Sequence, residues 1–273
     1  MQSLITIKEY LRGLFLILLL ISPLNAGASI IIVGDLTHER TVSPGETHRG
    51  VIVLQNIGDR LRDVQIYQTD YTYSADGQSH YSQTAGDLPR SNAGWIYFSP
   101  RHLSIPPGEK MEVNYRIQVP PGDTLSGTYW SMIMIEPLAA DYVEQMQRGA
   151  VGVKTVVRYA VQLITHMENE GTVDLVIKNV EVVLENGKRM FHADFINTGQ
   201  QLVRPKTWIE LFNENGDSIG TFNGRVQRIF PDTSVRQSID ITRVKPGNYK
   251  VLLIADCGGD HLFGVQYTIQ LEK

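Results

Sequence analysis

Apolar and polar positions alternate along this chain with a period of two, in short runs broken by Gly, Pro, Asn and Ser. That spacing predicts β-strands and no amphipathic helix. Gly50 to Gln55 is an apolar run that ends at Asn56-Ile-Gly58, and Val64 to Tyr73 alternates up to a turn at Ser74-Ala-Asp-Gly77. Residues 78–94 are polar and read as a long loop. Trp95 to Phe98 and Glu112 to Val119 are strands, with turns at Ser99-Pro100 and Pro106-Pro107-Gly108 between them. Tyr129 to Ile135 is nearly continuous in apolar residues, as a strand buried on both faces should be. Val151 to Ile164 is the longest extended run.

Polar residues 166–172 then mark a boundary. Val173 to Leu184, Met190 to Ile196, Thr207 to Phe212, Ser218 to Phe222, Val235 to Ile241, Tyr249 to Ala255 and Val265 to Leu271 follow, with a hairpin turn at Glu185-Asn-Gly187.

The second half repeats the first. Asn56-Ile-Gly58 returns as Asn197-Thr-Gly199, and Asp76-Gly77 as Asn215-Gly216. Ile105-Pro-Pro107 returns as Ile229-Phe-Pro231, and Gly127-Thr-Tyr129 as Gly247-Asn-Tyr249. Tyr159-Ala-Val-Gln-Leu163 returns as Tyr267-Thr-Ile-Gln-Leu271. The order is the same throughout. About seven strands per half at this spacing predicts an all-β protein of two tandem immunoglobulin-like sandwiches, residues 29–166 and 167–273. The first half is longer in two places. From hairpin Gly to landmark Pro it spends 30 residues against 15, and between the last two Tyr landmarks 30 against 18. Long insertions in compact domains are where function is added.

The N-terminus changes the setting. Lys8 and Arg12 precede a short apolar core, Leu14 to Ile21. Pro23 breaks it, and Ala26-Gly27-Ala28 has the small-x-small form of a cleavage site. Residues 1–28 therefore read as an export signal, too short in its apolar core for the roughly 20 residues of a spanning helix. The whole chain carries a net charge of −4, and Lys8, Arg12 and Glu9 in the signal leave −5 on the rest. Mild acidity argues against a nucleic-acid partner. Cys257 is the single cysteine, so both sandwiches must stand on core burial alone.

Chemistry finds little support. The seven histidines (38, 48, 80, 102, 166, 192 and 261) form no H-x-H or H-E-x-x-H pair. Asn213, Asn215 and Asp217 have the spacing that opens a calcium loop, but Gly224 stands where the bidentate Glu is needed. Neither a nucleophile elbow nor a phosphate loop is present. No catalytic residue, metal or cofactor is expected, and Cys257 reads as a small core or turn residue.

One charged pattern stands out. Arg40 precedes the turn Val42-Ser-Pro-Gly45. Arg158 lies within Val151 to Ile164, opposite a face that is apolar except at Thr155. A long alternating strand closing a sandwich is often a sheet edge, able to accept a partner strand. Lys154 and Arg158 read equally as solvated charges that guard such an edge.

On these residues the first half resembles the periplasmic chaperones of pilus assembly. Arg40, Gly45 and Asn56 fit that family's strand-entry Arg, turn and Asn-terminated strand. Ser99 to Glu109 is similar to its Pro-rich segment, Tyr129 to Pro137 to its F strand, 138–150 to its F–G loop, and Val151 to Ile164 to the G strand it lends to a pilus subunit. The resemblance implies a donor edge at Val151, Val153, Lys154 and Thr155, and a cleft in which Arg40 and Arg158 anchor the carboxylate of an exported, pilin-like subunit in the periplasm. Two guanidinium groups suit a carboxylate because each binds it bidentately. At the second site the family has Lys and then aromatic-Arg-Pro, where this chain has Arg158 and then Tyr159-Ala-Val. Two other readings remain open at this point: a structural or adhesive module of an envelope or surface assembly, and a carbohydrate-active enzyme or lectin using Tyr71, Tyr73, Tyr81, Trp95 and Tyr97.

The export reading has a direct test. N-terminal sequencing of the exported protein is expected to begin at Ser29, after Ala28, with cleavage after Ala26 as the second choice. A membrane-retained chain starting at Met1 would refute it.

Overall fold

The computed structural model describes residues 29–82, 84–138 and 157–272. The expected signal, most of the expected F–G loop and the donor-edge residues Val151, Val153, Lys154 and Thr155 lie outside the described residues.

Among the described residues the first half has eleven strands: β1 (Ile30–Val33), β2 (Thr37–Val42), β3 (Thr47–Asn56), β4 (Arg62–Thr69), β5 (Tyr71–Tyr73), β6 (Ser79–Tyr81), β7 (Ile96–Ser99), β8 (His102–Ile105), β9 (Lys110–Gln118), β10 (Thr128–Pro137) and β11 (Tyr159–Met167). One sheet runs β1-β3-β9-β7 and faces a second, β2-β11-β10-β4-β8. The second half holds β12 (Leu175–Glu185), β13 (Lys188–Asn197), β14 (Lys206–Phe212), β15 (Ser218–Asn223), β16 (Ser234–Asp240), β17 (Gly247–Asp256) and β18 (Leu262–Leu271). Its sheets run β12-β13-β16 and β15-β14-β17-β18. In both halves the order is that of an immunoglobulin-like Greek key: β1, β3 and β9, like β12, β13 and β16, share one sheet, and β4, β10 and β11, like β14, β17 and β18, share the other. The fold is therefore all-β, two sandwiches in tandem. Among the described residues the only helical piece is one 3₁₀ turn at Ala93–Trp95, and no helix is long and apolar enough to cross a membrane.

Alternation builds each core. Ile52 and Leu54 of β3, Val113, Tyr115 and Ile117 of β9, and Val64 and Ile66 of β4 all point between the first pair of sheets. Phe191, Ala193 and Phe195 of β13 meet Ile209, Leu211, Val251 and Leu253 in the second. The repeated Asn-x-Gly has one structural job in both. Asn56 is fully buried. Its Nδ2 donates to Ile105 O and Arg60 O, and its Oδ1 accepts from Gly58 N–H. Asn197 does the same with Ile229 O, Gln201 O and Gly199 N–H. Each Asn thus closes a strand end against the residue two before the landmark proline, with the polar atoms of its own buried side chain all paired. The hydroxyl of Tyr249 donates to Lys245 O at 2.9 Å, the tyrosine corner of immunoglobulin-like sandwiches.

Three features depart from the sequence reading. The stretch 78–94 contains β6, which pairs with β5, and the loop after it folds around buried Asp70, whose carboxylate accepts from Gly86 N–H, Leu88 N–H and Ser91 Oγ. His102–Ile105 is a strand, although the prolines on either side made the stretch read as turns. β11 is not a bare edge. The entry segment β2 crosses between the sheets and lies parallel beside Gln162–Met167.

The two halves share a third cluster. Ile133 and Ile135 of β10 face the first sandwich core, while Trp130, Met132 and Met134 face the other way with Ile164 and Tyr71, against Leu202 and Phe230 of the second half. The rings of Trp130 and Phe230 lie 4.6 Å apart. Thr128 N–H donates to Gln200 O, and Leu202 N–H to Thr128 Oγ1. The backbones come so close that Gly127 is required. Its φ is +73°, and a Cβ there would sit 2.1 Å from Gln200 O.

Phe230 carries this junction and is 1% exposed. Phe230→Ala is expected to cost about 3–5 kcal/mol and to separate the unfolding of the two halves in denaturant. A single transition with a loss below about 1 kcal/mol, within the range of ordinary point substitutions, would show that the halves are not coupled through this ring.

Candidate functional site

The parity of β2 and β11 decides what faces the second half. On β11, Val161, Leu163 and Met167 enter the first core, so Arg158, Ala160, Gln162, Ile164 and His166 lie on the opposite face. β2 pairs in parallel, with Ile164 beside Glu39 and Thr165 beside Arg40. Val42 enters the core, so His38 and Arg40 share its face, whereas Thr37, Glu39 and Thr41 look toward the second half.

That face carries an ion cluster. Arg204 Nη2 reaches both oxygens of Glu39, at 2.8 and 2.6 Å. His166 Nε2 lies 2.7 Å from Glu39 Oε1, and its Nδ1 lies 2.9 Å from Thr128 Oγ1. Beside the cluster a cavity of about 510 Å³ is lined by Asp35, Leu36, Thr37, Val226 and Arg228 among others. Arg228 Nη1 donates to Thr37 Oγ1 at 3.3 Å. Among the described residues its guanidinium has no carboxylate partner.

The floor of the cleft continues along β11. β2 stops at Thr37, and Gln162 N–H donates to Leu36 O. Even-numbered residues of β11 therefore point their N–H and C=O toward the β2 side. Before Gln162 no strand among the described residues pairs with that side of β11, so the backbone of Ala160 forms an unpaired sheet edge. At the far end Arg158 Nη2 pairs with Glu136 Oε1 at 2.8 Å. Tyr67 donates to the other Glu136 oxygen at 3.0 Å. Burial, then the hydrogen bond to Glu136, raises the Tyr67 phenol above its ordinary value.

The structure does not bring Arg40 and Arg158 together. They lie on opposite faces of one sheet, seven positions apart in register, roughly 20 Å at strand spacing. Arg40 instead sits by Tyr115, whose phenol burial raises while the Arg40 charge pulls it back. The cleft cations that sequence reasoning missed, Arg204 and Arg228, come from the second half. Arg204 lies in the connection before β14, and nothing local in the sequence pairs it with Glu39.

Three of the five aromatics, Tyr71, Tyr73 and Trp95, are used in packing, while Tyr81 and Tyr97 are exposed. Tyr71 and Tyr73 pack on Phe230 at 5.7 and 6.2 Å, and Trp95 packs on Tyr129 at 4.8 Å. Tyr97 is exposed but carries Arg116 over its ring. Cys257 is half-buried in the β17–β18 turn, where burial pushes its thiol up to about 11. Asn213 Oδ1 accepts from Asn215 N–H and Asp217 N–H, a turn and not a metal loop. Among the described residues no metal-ligating cluster exists.

Glu39 gives a pH test. Burial works to raise its carboxyl, but hydrogen bonds from Arg204 and His166 outweigh that and hold its pKa below the ordinary 4.5. A depressed carboxylate adds stability above the unfolded value and loses it as pH falls through the folded one. Glu39→Gln is expected to lower stability at pH 7 by about 1 kcal/mol or less, as befits a partly solvated pair. It should also flatten the fall in melting temperature below pH 4.5. An unchanged acid limb would show that Glu39 makes no net contribution.

No protein-family model and no curated protein sequence matches the chain. Solved structures do. The chain is similar to a structure of a chaperone–tip adhesin complex in CFA/I fimbriae biogenesis, at 12% identity and a TM-score of 0.48, over 88% of this chain and 98% of that one. It is similar to the class 5 fimbriae chaperone CfaA, at 13% identity and 0.44 over the same shares. It is also similar to the CsuC–CsuE chaperone–tip subunit pre-assembly complex of Acinetobacter baumannii, at 16% identity and 0.44, again over 88% and 98%. At such identities the likeness is one of fold.

Proposed function

We propose that this protein is a non-catalytic binder of an exported protein subunit, held in the periplasm by strand addition to β11 and anchored through the subunit's terminal carboxylate. One observation carries the proposal: the open edge at Ala160 runs into the cavity that holds Arg228.

The geometry supports a direction as well. A strand added beside Arg158–Val161 continues the line of β2. Run parallel to β11, as β2 does, its C-terminal end meets Thr37. Arg228 donates to that threonine, so a terminal carboxylate there lies within reach of a guanidinium that has no acidic partner among the described residues. Arg228 therefore takes the anchoring role expected of Arg40, which faces the other way. Arg158 remains in the proposal as the second cation of this face, at the opposite end of the added strand. The donor residues Val151, Val153, Lys154 and Thr155 precede this edge in the chain and would extend it.

Affinity capture from the producing cell, read by mass spectrometry, tests the proposal. The wild type is expected to retain an exported subunit. Ala160→Pro removes the outward N–H and should abolish retention. Arg228→Ala should weaken it by roughly 30-fold or more, since truncating one member of a buried charged pair costs about 2–5 kcal/mol. Arg40→Ala should leave it unchanged. Equal capture by Ala160→Pro and wild type, with both folded by circular dichroism, sinks strand addition and leaves the structural or adhesive reading ahead.

A further inference from the structure

Open sheet edges invite pairing with other chains, and proteins guard them with charges, bulges, prolines or short length. Among the described residues, and apart from the start of β11, the edges are guarded with one exception. β1, β7 and β8 have four residues each. β2 carries Glu39 and Arg40, and β16 carries Arg236 and Asp240. β12 carries Lys178, Glu181 and Glu185 and is broken by a register shift after Lys178, where Asn179 has φ +50°. β15 is short and irregular against β14.

β18 is the exception. It is ten residues long, Leu-Phe-Gly-Val-Gln-Tyr-Thr-Ile-Gln-Leu, with no charge and no proline. Its pairing to β17 is continuous from Leu262 to Leu271. Cys257 N–H donates to His261 O across the turn, so odd-numbered residues bond to β17 and even-numbered ones point N–H and C=O outward. The outward residues Leu262, Gly264, Gln266, Thr268 and Gln270 are all exposed. On the inner face Phe263, Val265 and Ile269 are only partly buried against the second core, as if one more strand were needed to cover them.

We propose that β18 pairs antiparallel with β18 of a second copy of this chain, joining two four-stranded sheets into one. The strand is self-complementary. With Tyr267 on the two-fold axis, Val265 faces Ile269, and Phe263 faces Leu271, so aromatic and β-branched residues meet across the seam on the inner face. On the outer face Gln266 faces Thr268, and Gly264 faces Gln270. Centring on Gln266 instead would set Asp260 opposite Glu272, two like charges. A two-fold interface uses the same patch twice, and an uncharged strand meets no repulsion in doing so.

Light scattering after size exclusion, together with sedimentation, tests this on the purified protein. The wild type is expected to dimerise. The double variant Gln266→Lys, Thr268→Lys sets ammonium groups opposite one another twice and should raise the dimer dissociation constant at least about tenfold. The variant Gln266→Lys, Thr268→Glu sets opposite charges there and should restore the dimer, which separates a pairing effect from a folding effect. In a Cys257→Ser background, Tyr267→Cys should form a disulfide-linked dimer, because residues facing at a non-hydrogen-bonded pair lie about 4.5 Å apart at Cα, within disulfide reach. A wild type that stays monomeric at about 100 µM, where a micromolar dimer would be largely formed, overturns the proposal. A dimer that survives the double-lysine variant and does not cross-link at position 267 overturns it equally.

Discussion

β10 has two apolar faces, and most of the molecule follows from that. Ile133 and Ile135 satisfy one face inside the first sandwich. Trp130, Met132 and Met134 remain on the other. Leaving them in water would forfeit about 1.5–3 kcal/mol for each large apolar side chain, a large fraction of the net stability of a domain. The second half covers them with Leu202 and Phe230. Interfaces between domains of one chain are commonly polar and yielding. This one is aromatic and buried, so the position of the second half is set by packing and not by a linker. The cleft exists because the cover is incomplete: it ends near Ile164 and Ala160, and the cavity lined by Arg228 and Asp35 begins there.

Within that frame, parity assigns the charges. One residue separates Glu39 from Arg40, and that step turns one toward the second half and the other toward Tyr115. Sequence position alone carried Arg40 to the cleft. The direction in which β2 pairs, and the register that sets Thr165 beside Arg40, are products of the entry segment crossing between sheets. No local pattern encodes that crossing. The partner of Glu39 is 165 residues away, and single-chain reading has no means to see it.

What was legible is equally physical. The period-two alternation marks each core-facing residue because a strand has only two faces. The repeated Asn-x-Gly could be read because Asn56 and Asn197 do the same job, tying a strand end to the carbonyls of Ile105 and Ile229 through a buried side-chain amide. The continuous run at Tyr129 to Ile135 announced a strand buried twice. β8 was hidden because four residues between prolines are too short to show alternation. Lys154 and Arg158 drew the reading of the even face toward solvated charge, whereas Ile164 on the same face is fully buried. What buries it is the other half of the chain.

The two halves differ most in how they treat one equivalent strand. Tyr159-Ala-Val-Gln-Leu163 of β11 and Tyr267-Thr-Ile-Gln-Leu271 of β18 occupy the same place, the last strand beside the central one. In the first half β2 shields β11 from Gln162 onward and leaves only its beginning open. The second half has no counterpart of β2: its first strand, β12, stays wholly in the other sheet. The outer side of β18 is therefore unpaired along its full length, without the charges that β12 and β16 carry at their own edges. A repeated sandwich that keeps one edge partly covered and leaves its twin bare would offer, on the two proposals, two places for added strands. In the first half the opening lies beside a cavity whose lining pairs two acids with two cations, Asp35 and Glu39 with Arg204 and Arg228. In the second it presents a neutral strand that complements itself.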